Sequence, residues 1–238
     1  MIKSILSLLF ISTSLVLGSE QDTVMNYSKP DLLGQIDYAA HDDFTKIPSE
    51  FTSKTGVYLR AEALDAFKKM YFTAKECGVT LTIISAARNF DYQKGIWERK
   101  WKDGKYIKYM GAERAKAIMR YSSMPGTSRH HWGTDIDINN LNDSYFTKNP
   151  DGIKVYDWLT THANSYGFYQ TYTSKDSGRT GYEEEKWHWS YMPIAKQLLV
   201  QYNEKVAYSD IKNFNGSESA KPLQAIDLYV NGIDIELK

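Results

Sequence analysis

Hydrophobic positions along the chain fall into two rhythms. Leu59, Ala63, Phe67, Met70, Ala74 and Cys77 recur at spacings of three and four, the stripe of an amphipathic helix. Gly78 follows where a helix C-terminus favours a residue able to adopt positive φ. This predicts a helix over 59–77 with Cys77 in the core. Residues 79–85, VTLTIIS, form a β-rich run. Helical patterns cover 90–100 and 112–121, and the stretch 122–129 holds Pro125 and Gly126, which mark a loop. Residues 135–138 alternate polar and apolar like a strand with one wet face. A helix over 155–166 is stopped by Gly167, and the Ser-, Thr- and Gly-rich stretch 172–181 reads as a rim loop. Residues 187–191 form an aromatic strand. Pro193 opens a helix where a missing N–H costs nothing, and a last helix is expected near 223–230. Residues 20–58 show no period and read as an irregular segment. Nothing like a linker or repeat divides 59–238, so the pattern predicts one α+β domain.

The N-terminus reads as an address. Met1, Ile2 and Lys3 give a short positive start, an apolar stretch with a few hydroxyls runs to Leu17, and Gly18 and Ser19 are small enough for cleavage. That is the plan of a secretory signal peptide over 1–19. The apolar stretch is shorter than the roughly 20 residues a bilayer-spanning helix needs. No Cys follows it, so no lipid attachment and no stable membrane anchor after cleavage are expected.

Composition narrows the function. Among 238 residues, 29 Lys and Arg balance 29 Asp and Glu, which argues against a nucleic-acid partner, since polyanion binders carry a basic surplus. One Cys excludes an internal disulfide and a multi-Cys zinc site. In an oxidising compartment a lone Cys77 is expected to be buried and inert. There are only five His, against 18 Tyr, 9 Phe and 6 Trp, side chains that also line clefts for extended polymers.

Candidate chemistry gathers in three places: Ser128 to Asp137 (SRHHWGTDID), Glu185 to Trp189 (EKWHW), and Ser85 to Arg88 with Gln93. A hydrolytic zinc site uses three N or O ligands and keeps one position open. His130, Asp137 and His188 supply two imidazoles and a carboxylate, with Gly133 allowing the bend that returns His130 beside Asp137. The general base must not itself be a ligand, and Glu185, three residues before His188, is the candidate. Residues i and i+3 of a strand face opposite sides, so Glu185 is expected in a turn before the strand.

Together these motifs resemble the VanY-type zinc D-alanyl-D-alanine carboxypeptidases (peptidase family M15), which share the hedgehog/D,D-peptidase fold. The pattern Ser-x-His-x-x-Gly-x-x-x-Asp stands here as Ser128, His130, Gly133 and Asp137, and Glu-x-Trp-His as Glu185, Trp187 and His188. The arginine motif appears as Ser85, Arg88 and Gln93, with Ala86 and Ala87 in place of the usual Gly-Tyr. The resemblance spans about residues 59–195. It implies a small antiparallel sheet that carries the zinc site and packs with several helices. It also implies Zn2+ on His130, Asp137 and His188, Glu185 as base, and Arg88 as a contact to substrate and transition state, with Gln93 and Ser128 on the substrate. Asp135 replaces the usual Ala and lies two residues from Asp137, so both carboxylates can face the metal. Asp137 is taken as the ligand and Asp135 as its support or a contact to the substrate amine. His131 is read as structural or rim-facing, and His41 and His162 as packing or surface residues. The implied substrate is the peptidoglycan stem peptide, cut by an exported, periplasmic or secreted bacterial enzyme acting as a monomer. L,D-carboxypeptidase, D,D-dipeptidase and endopeptidase activities fit the same motifs. A non-catalytic zinc-stabilised wall-binding module predicts a lost base, whereas Glu185 is present.

Overall fold

The computed structural model describes residues 25–238, so the expected signal segment 1–19 lies outside the described residues. No helix among the described residues is long and apolar enough to cross a membrane. The elements follow in chain order: α1 (Lys29–Leu33), β1 (Phe44–Lys46), β2 (Tyr58–Arg60), α2 (Ala61–Glu76), β3 (Ile83–Ser85), α3 (Phe90–Lys102), α4 (Gly104–Ile107), α5 (Gly111–Ile118), β4 (Asp135–Ile138), α6 (Asp143–Lys148), α7 (Pro150–His162), β5 (Phe168–Gln170), β6 (His188–Tyr191) and α8 (Met192–Lys205). Short 3-10 turns and a π-helical turn at Ala225–Val230 complete the chain. The segment before residue 58 carries more order than its pattern predicts. Ser28 and Asp31 close a capping box around α1, which is too short to show a period. β1 and β2 pair as a two-stranded antiparallel ribbon.

The main sheet is four-stranded and antiparallel in the order β3-β4-β6-β5. Side chains alternate across a strand, so Ile136 and Ile138 of β4 and Trp189 and Tyr191 of β6 share one face. That face packs on Leu64, Phe67 and Met70 of α2 and Val155 and Leu159 of α7 as one apolar core. A second core joins Trp97 of α3, Ile118 of α5, Leu198 of α8 and the C-terminal turns. Asp135, Asp137, His188 and Ser190 project from the opposite face of the sheet. The strand alternation is as expected, but its polar face is not wet: all four residues of β4 are buried.

Cys77 departs from its expected place in the core and is exposed. α2 ends at Glu76, and Cys77 is its C-cap with φ −82° and ψ 5°. Ala74 is the last buried member of the stripe, and Val79 takes the next core position. Leu59, the stripe's first member, lies in β2 instead of the helix.

Gly133 joins the site to this frame. Its φ of +68° ends the 3-10 turn Arg129–Trp132 and redirects the chain into β4. A Cβ there would stand 2.2 Å from Phe44 Cε1, and Arg60 N–H donates to the Gly133 carbonyl at 2.9 Å. Gly133→Ala therefore combines a left-handed penalty of about 1–2 kcal/mol with an overpacking cost of about 1–3 kcal/mol. At about 2–4 °C per kcal/mol for a chain of this size, Tm is expected to fall by about 4–20 °C. A calorimetric Tm within about 2 °C of the parent would show that both the Phe44 contact and the positive φ are relieved by local rearrangement.

Candidate active site

Three elements bring the metal-type residues together. His130 comes from the 3-10 turn Arg129–Trp132, while Asp137 of β4 and His188 of β6 are directly paired across the sheet. Asp137 Oδ1 lies 3.3 Å from His130 Nε2 and 3.2 Å from His188 Nδ1, and ligand-type atoms of all three residues fall within 4.8 Å of one another. The other ring nitrogens are engaged: His130 Nδ1 stands 2.8 Å from the Ala86 carbonyl and His188 Nε2 stands 2.9 Å from Asp135 Oδ1. Carbonyl and carboxylate oxygens only accept, so those nitrogens donate, and in the neutral rings the lone pairs of His130 Nε2 and His188 Nδ1 face Asp137.

That arrangement calls for a positive charge. Burial lowers the pKa of His130, and Arg88 lowers it further, against the pull of Asp137. Its Nε2 is buried without a hydrogen-bond partner. For His188, burial opposes protonation, but the hydrogen bonds to Asp135 and Asp137 carry its pKa up to about 9. Asp137 is held well below the usual carboxylate range because His130 and His188 outweigh its burial. A metal cation answers the same demand. Ligands about 2.0–2.1 Å from a tetrahedral Zn2+ lie about 3.3–3.4 Å apart, in agreement with both Asp137 distances. The residues present fit zinc in atom type, tautomer and spacing.

Asp135 does not take the substrate-contact role. It is fully buried, is absent from the cleft lining, and pairs with Ser190 while Asp137 pairs with His188. Its oxygens accept from His188 Nε2 (2.9 Å), Thr134 Oγ1 (2.6 Å), Arg129 Nε (3.1 Å) and Ser190 Oγ (3.1 Å). Burial alone would raise its pKa, but Arg129 and the His188 hydrogen bond hold it well below the usual range. Asp135 orients His188, and Arg129, itself 1% exposed, neutralises Asp135. Nothing in the motif pattern reveals this function of Arg129, which occupies the position that the pattern leaves unspecified between Ser128 and His130.

A cleft of about 660 Å³ opens over the cluster, lined among others by Arg88, Gln93, Ser128, Glu185 and Tyr172. Glu185 lies in the turn before β6, as expected, with its N–H donating to the Tyr172 carbonyl at 2.9 Å and its carbonyl accepting from His188 N–H at 3.2 Å. Its Oε2 stands 3.7 Å from His188 Nδ1, beside the cluster but not part of it. Burial pushes its pKa up to about 8 against the opposing pull of His188. Arg88 N–H donates to the His130 carbonyl at 3.1 Å, which ties the arginine motif to the metal turn. Arg88 Nε, Gln93 Oε1 and Ser128 Oγ are all buried without a hydrogen-bond partner. Three orphaned polar atoms in one cleft wall are a costly arrangement in the absence of a polar ligand.

The remaining histidines divide as structure requires. His131 is fully buried; its Nε2 accepts from Gly126 N–H at 3.0 Å and its Nδ1 donates to the Arg88 carbonyl at 2.6 Å. Burial pushes its pKa down to about 3, so it is a neutral strut holding Arg88. His41 pairs with Asp31 at 3.2 Å, and the His162 ring packs on Trp158 at 5.0 Å. Sequence reasoning missed Tyr172, whose ring lies 4.6 Å from that of His188, and Lys100, which also lines the cleft. Lys100 had a signal: Gln93, Ile96 and Lys100 share one helical face.

Two imidazoles and a carboxylate around one point, with a carboxylic acid beside them and a guanidinium in the same open cleft, define the class of metal-dependent hydrolases. The chain belongs to the VanY D-alanyl-D-alanine carboxypeptidase family, whose model matches residues 56–194, more than half of the sequence. It is 31% identical over 152 residues to YodJ of Bacillus subtilis (strain 168), provisionally named a carboxypeptidase, covering 62% of this chain and 51% of that protein. It is 26% identical over 166 residues to a D-alanyl-D-alanine carboxypeptidase of Enterococcus faecalis, covering 66% of this chain and 58% of the relative. The chain thus spans about half the length of the curated relatives it matches. Among solved structures, the LD-carboxypeptidase LdcB superposes with a TM-score of 0.53 at 26% identity, covering 79% of this chain and 80% of that one. VanYB in complex with D-alanine-D-alanine gives a TM-score of 0.53 at 22% identity over 71% of this chain and 92% of its own, a likeness of fold.

Proposed function

We propose that the chain is an exported zinc-dependent carboxypeptidase that releases the C-terminal D-alanine of peptidoglycan stem peptides. The observation that carries this reading is the Glu185 carboxyl, beside but outside the His130–Asp137–His188 cluster, in one cleft with Arg88. His130, Asp137 and His188 would hold Zn2+, which would supply Lewis-acid polarisation and a water nucleophilic near neutral pH. In its ionised form, which a cation held beside it would favour over the acid that burial alone promotes, Glu185 takes a proton from the attacking water as the new C–O bond forms at the terminal peptide carbonyl. Arg88 faces the negative charge that develops on the carbonyl oxygen, and a preorganised donor of this type contributes about 3–4 kcal/mol. Glu185 then returns the proton to the amine nitrogen of the departing D-alanine as the C–N bond breaks. The orphaned Gln93 Oε1 and Ser128 Oγ orient the substrate by hydrogen bonds. The N-terminal segment 1–19 supports export to the cell envelope.

A second reading, cleavage of an L,D bond in already trimmed tetrapeptides, draws on the likeness to LdcB. One experiment separates the two and tests the metal. Purified protein is expected to contain about one zinc per chain, lose D-alanine release on chelation, and recover it with Zn2+. Mass analysis of defined muropeptides should show loss of one D-alanine from pentapeptide. Release from tetrapeptide alone would select the L,D reading. Zinc-free protein whose activity ignores chelator would overturn both.

A further inference from the structure

We propose that Lys100 forms a second anion subsite in the cleft, one that takes a substrate carboxylate separate from the group facing Arg88. The inference rests on the peptide-hydrolase reading above and concerns which peptides the cleft selects. Gln93, Ile96 and Lys100 fall at i, i+3 and i+7 of α3 and all line the cleft, one face of one helix. Arg99 and Lys105 line it as well. Together with Arg88 they make a cationic wall, and among the described residues none of the four meets a carboxylate within 4.0 Å.

Lys100, unlike the exposed Arg99 and Lys105 of this wall, is partly withdrawn from solvent, and the partner its ammonium finds is the Ser122 hydroxyl. An ammonium has three protons to donate, and a single neutral hydroxyl is a poor return for partial burial. Burial accordingly lowers its pKa, with Arg88 acting in the same direction and Glu185 opposing. The buried, unpartnered Arg88 Nε lies in the same cleft and is accounted for by the group that faces Arg88; the Lys100 ammonium has no such group assigned to it.

Gln93 Nε2 donates to the Ser123 carbonyl at 2.8 Å and the Lys100 ammonium donates to the Ser122 hydroxyl, so the two side chains lean onto adjacent residues of the cleft lining. A peptide held at Gln93 and Ser128 therefore passes through the part of the cleft that Lys100 lines. The required chemistry is a carboxylate. Either the C-terminal α-carboxylate or the carboxylate of an acidic residue on the acyl side of the scissile bond supplies it.

The test is calorimetric binding to zinc-loaded Glu185→Ala protein, with and without Lys100→Met, which keeps chain length and helix propensity. Three synthetic probes are used: a stem pentapeptide with all its carboxylates free, the same peptide amidated at its C-terminus, and the same peptide amidated at its acyl-side acid. Lys100→Met is expected to weaken the all-acid peptide about 10–100-fold, the range of a charge-assisted contact. Amidating the responsible carboxylate should cause a similar loss in the Lys100 protein, and Lys100→Met should then add nothing further. The amide that behaves this way identifies the source, and Lys100→Arg should restore most of the affinity. A change below twofold, an equal loss on all three peptides, or no binding of any of them overturns the proposal. Because binding is read without turnover, failure of the parent chain to release D-alanine counts against the carboxypeptidase reading alone.

Discussion

Glu185→Ala protein should hydrolyse stem peptides about 10²–10⁴-fold more slowly while holding its zinc as tightly as the parent. The size of the effect follows from the proposed role, in which the side chain moves a proton twice in each turnover while, among the described residues, the two aspartates closest to the histidines are already engaged. Asp137 is committed to both histidines, and Asp135 is saturated by four donors behind His188. Metal retention follows from position, since the Glu185 carboxyl lies outside the His130–Asp137–His188 cluster. The turn itself should survive, because Glu185 is anchored through its backbone N–H and carbonyl. Glu185→Gln controls for size and should lose activity to a similar degree. The measurements are kcat/KM for D-alanine release and zinc content by mass spectrometry. Unchanged release would remove Glu185 from proton transfer, and loss of zinc would move it into the ligand set.

Asp135→Ala is expected to damage folding and metal binding together. The carboxylate and Arg129 are both fully buried, with a 3.1 Å contact between them. Removing one partner of such a pair leaves a charge without compensation, at about 3–5 kcal/mol. At about 2–4 °C per kcal/mol this is a Tm loss of about 6–20 °C. His188 also loses the acceptor that fixes its Nε2–H, and loss of such an orienting partner weakens metal affinity by about 10–100-fold. Competition with a chromophoric chelator reads the second effect independently of the first. Adding Arg129→Met should recover part of the stability, because the orphaned charge is gone, without restoring the affinity. A folded Asp135→Ala protein with the parent's zinc affinity would show that Asp135 does not orient His188.

The role of Asp135 also marks the boundary of what was legible beforehand. Two carboxylates two residues apart on a strand share a face, so their parity in sequence is identical. The pairing of Asp137 with His188 and of Asp135 with Ser190 separates them, and pairing joins segments about fifty residues apart. Cys77 fails for a different reason. Its spacing continues the helical stripe, but the helix ends one residue earlier, and a period carries no information once its element stops.

Short-range order was determined by the sequence alone. Periodicity, caps and punctuating Gly and Pro residues placed α2, α3, β4, β6 and α8 to within a few residues, because such signals act between neighbours along the chain. The metal-type cluster of His130, Asp137 and His188 was equally readable, since a hydrolytic metal site needs those atom types and the motifs supply them in order; Glu185 was expected beside it on the same chemistry, and Arg88 only through the family resemblance. Tertiary structure alone decided which atoms meet. It set the tautomers of His130 and His188 through Ala86 and Asp135, made His131 a strut for Arg88, buried Arg129 as a counter-ion, and turned Lys100 into the cleft. Each of these depends on a contact between segments remote in the chain, whose energy exists only once the two cores have packed and excluded water.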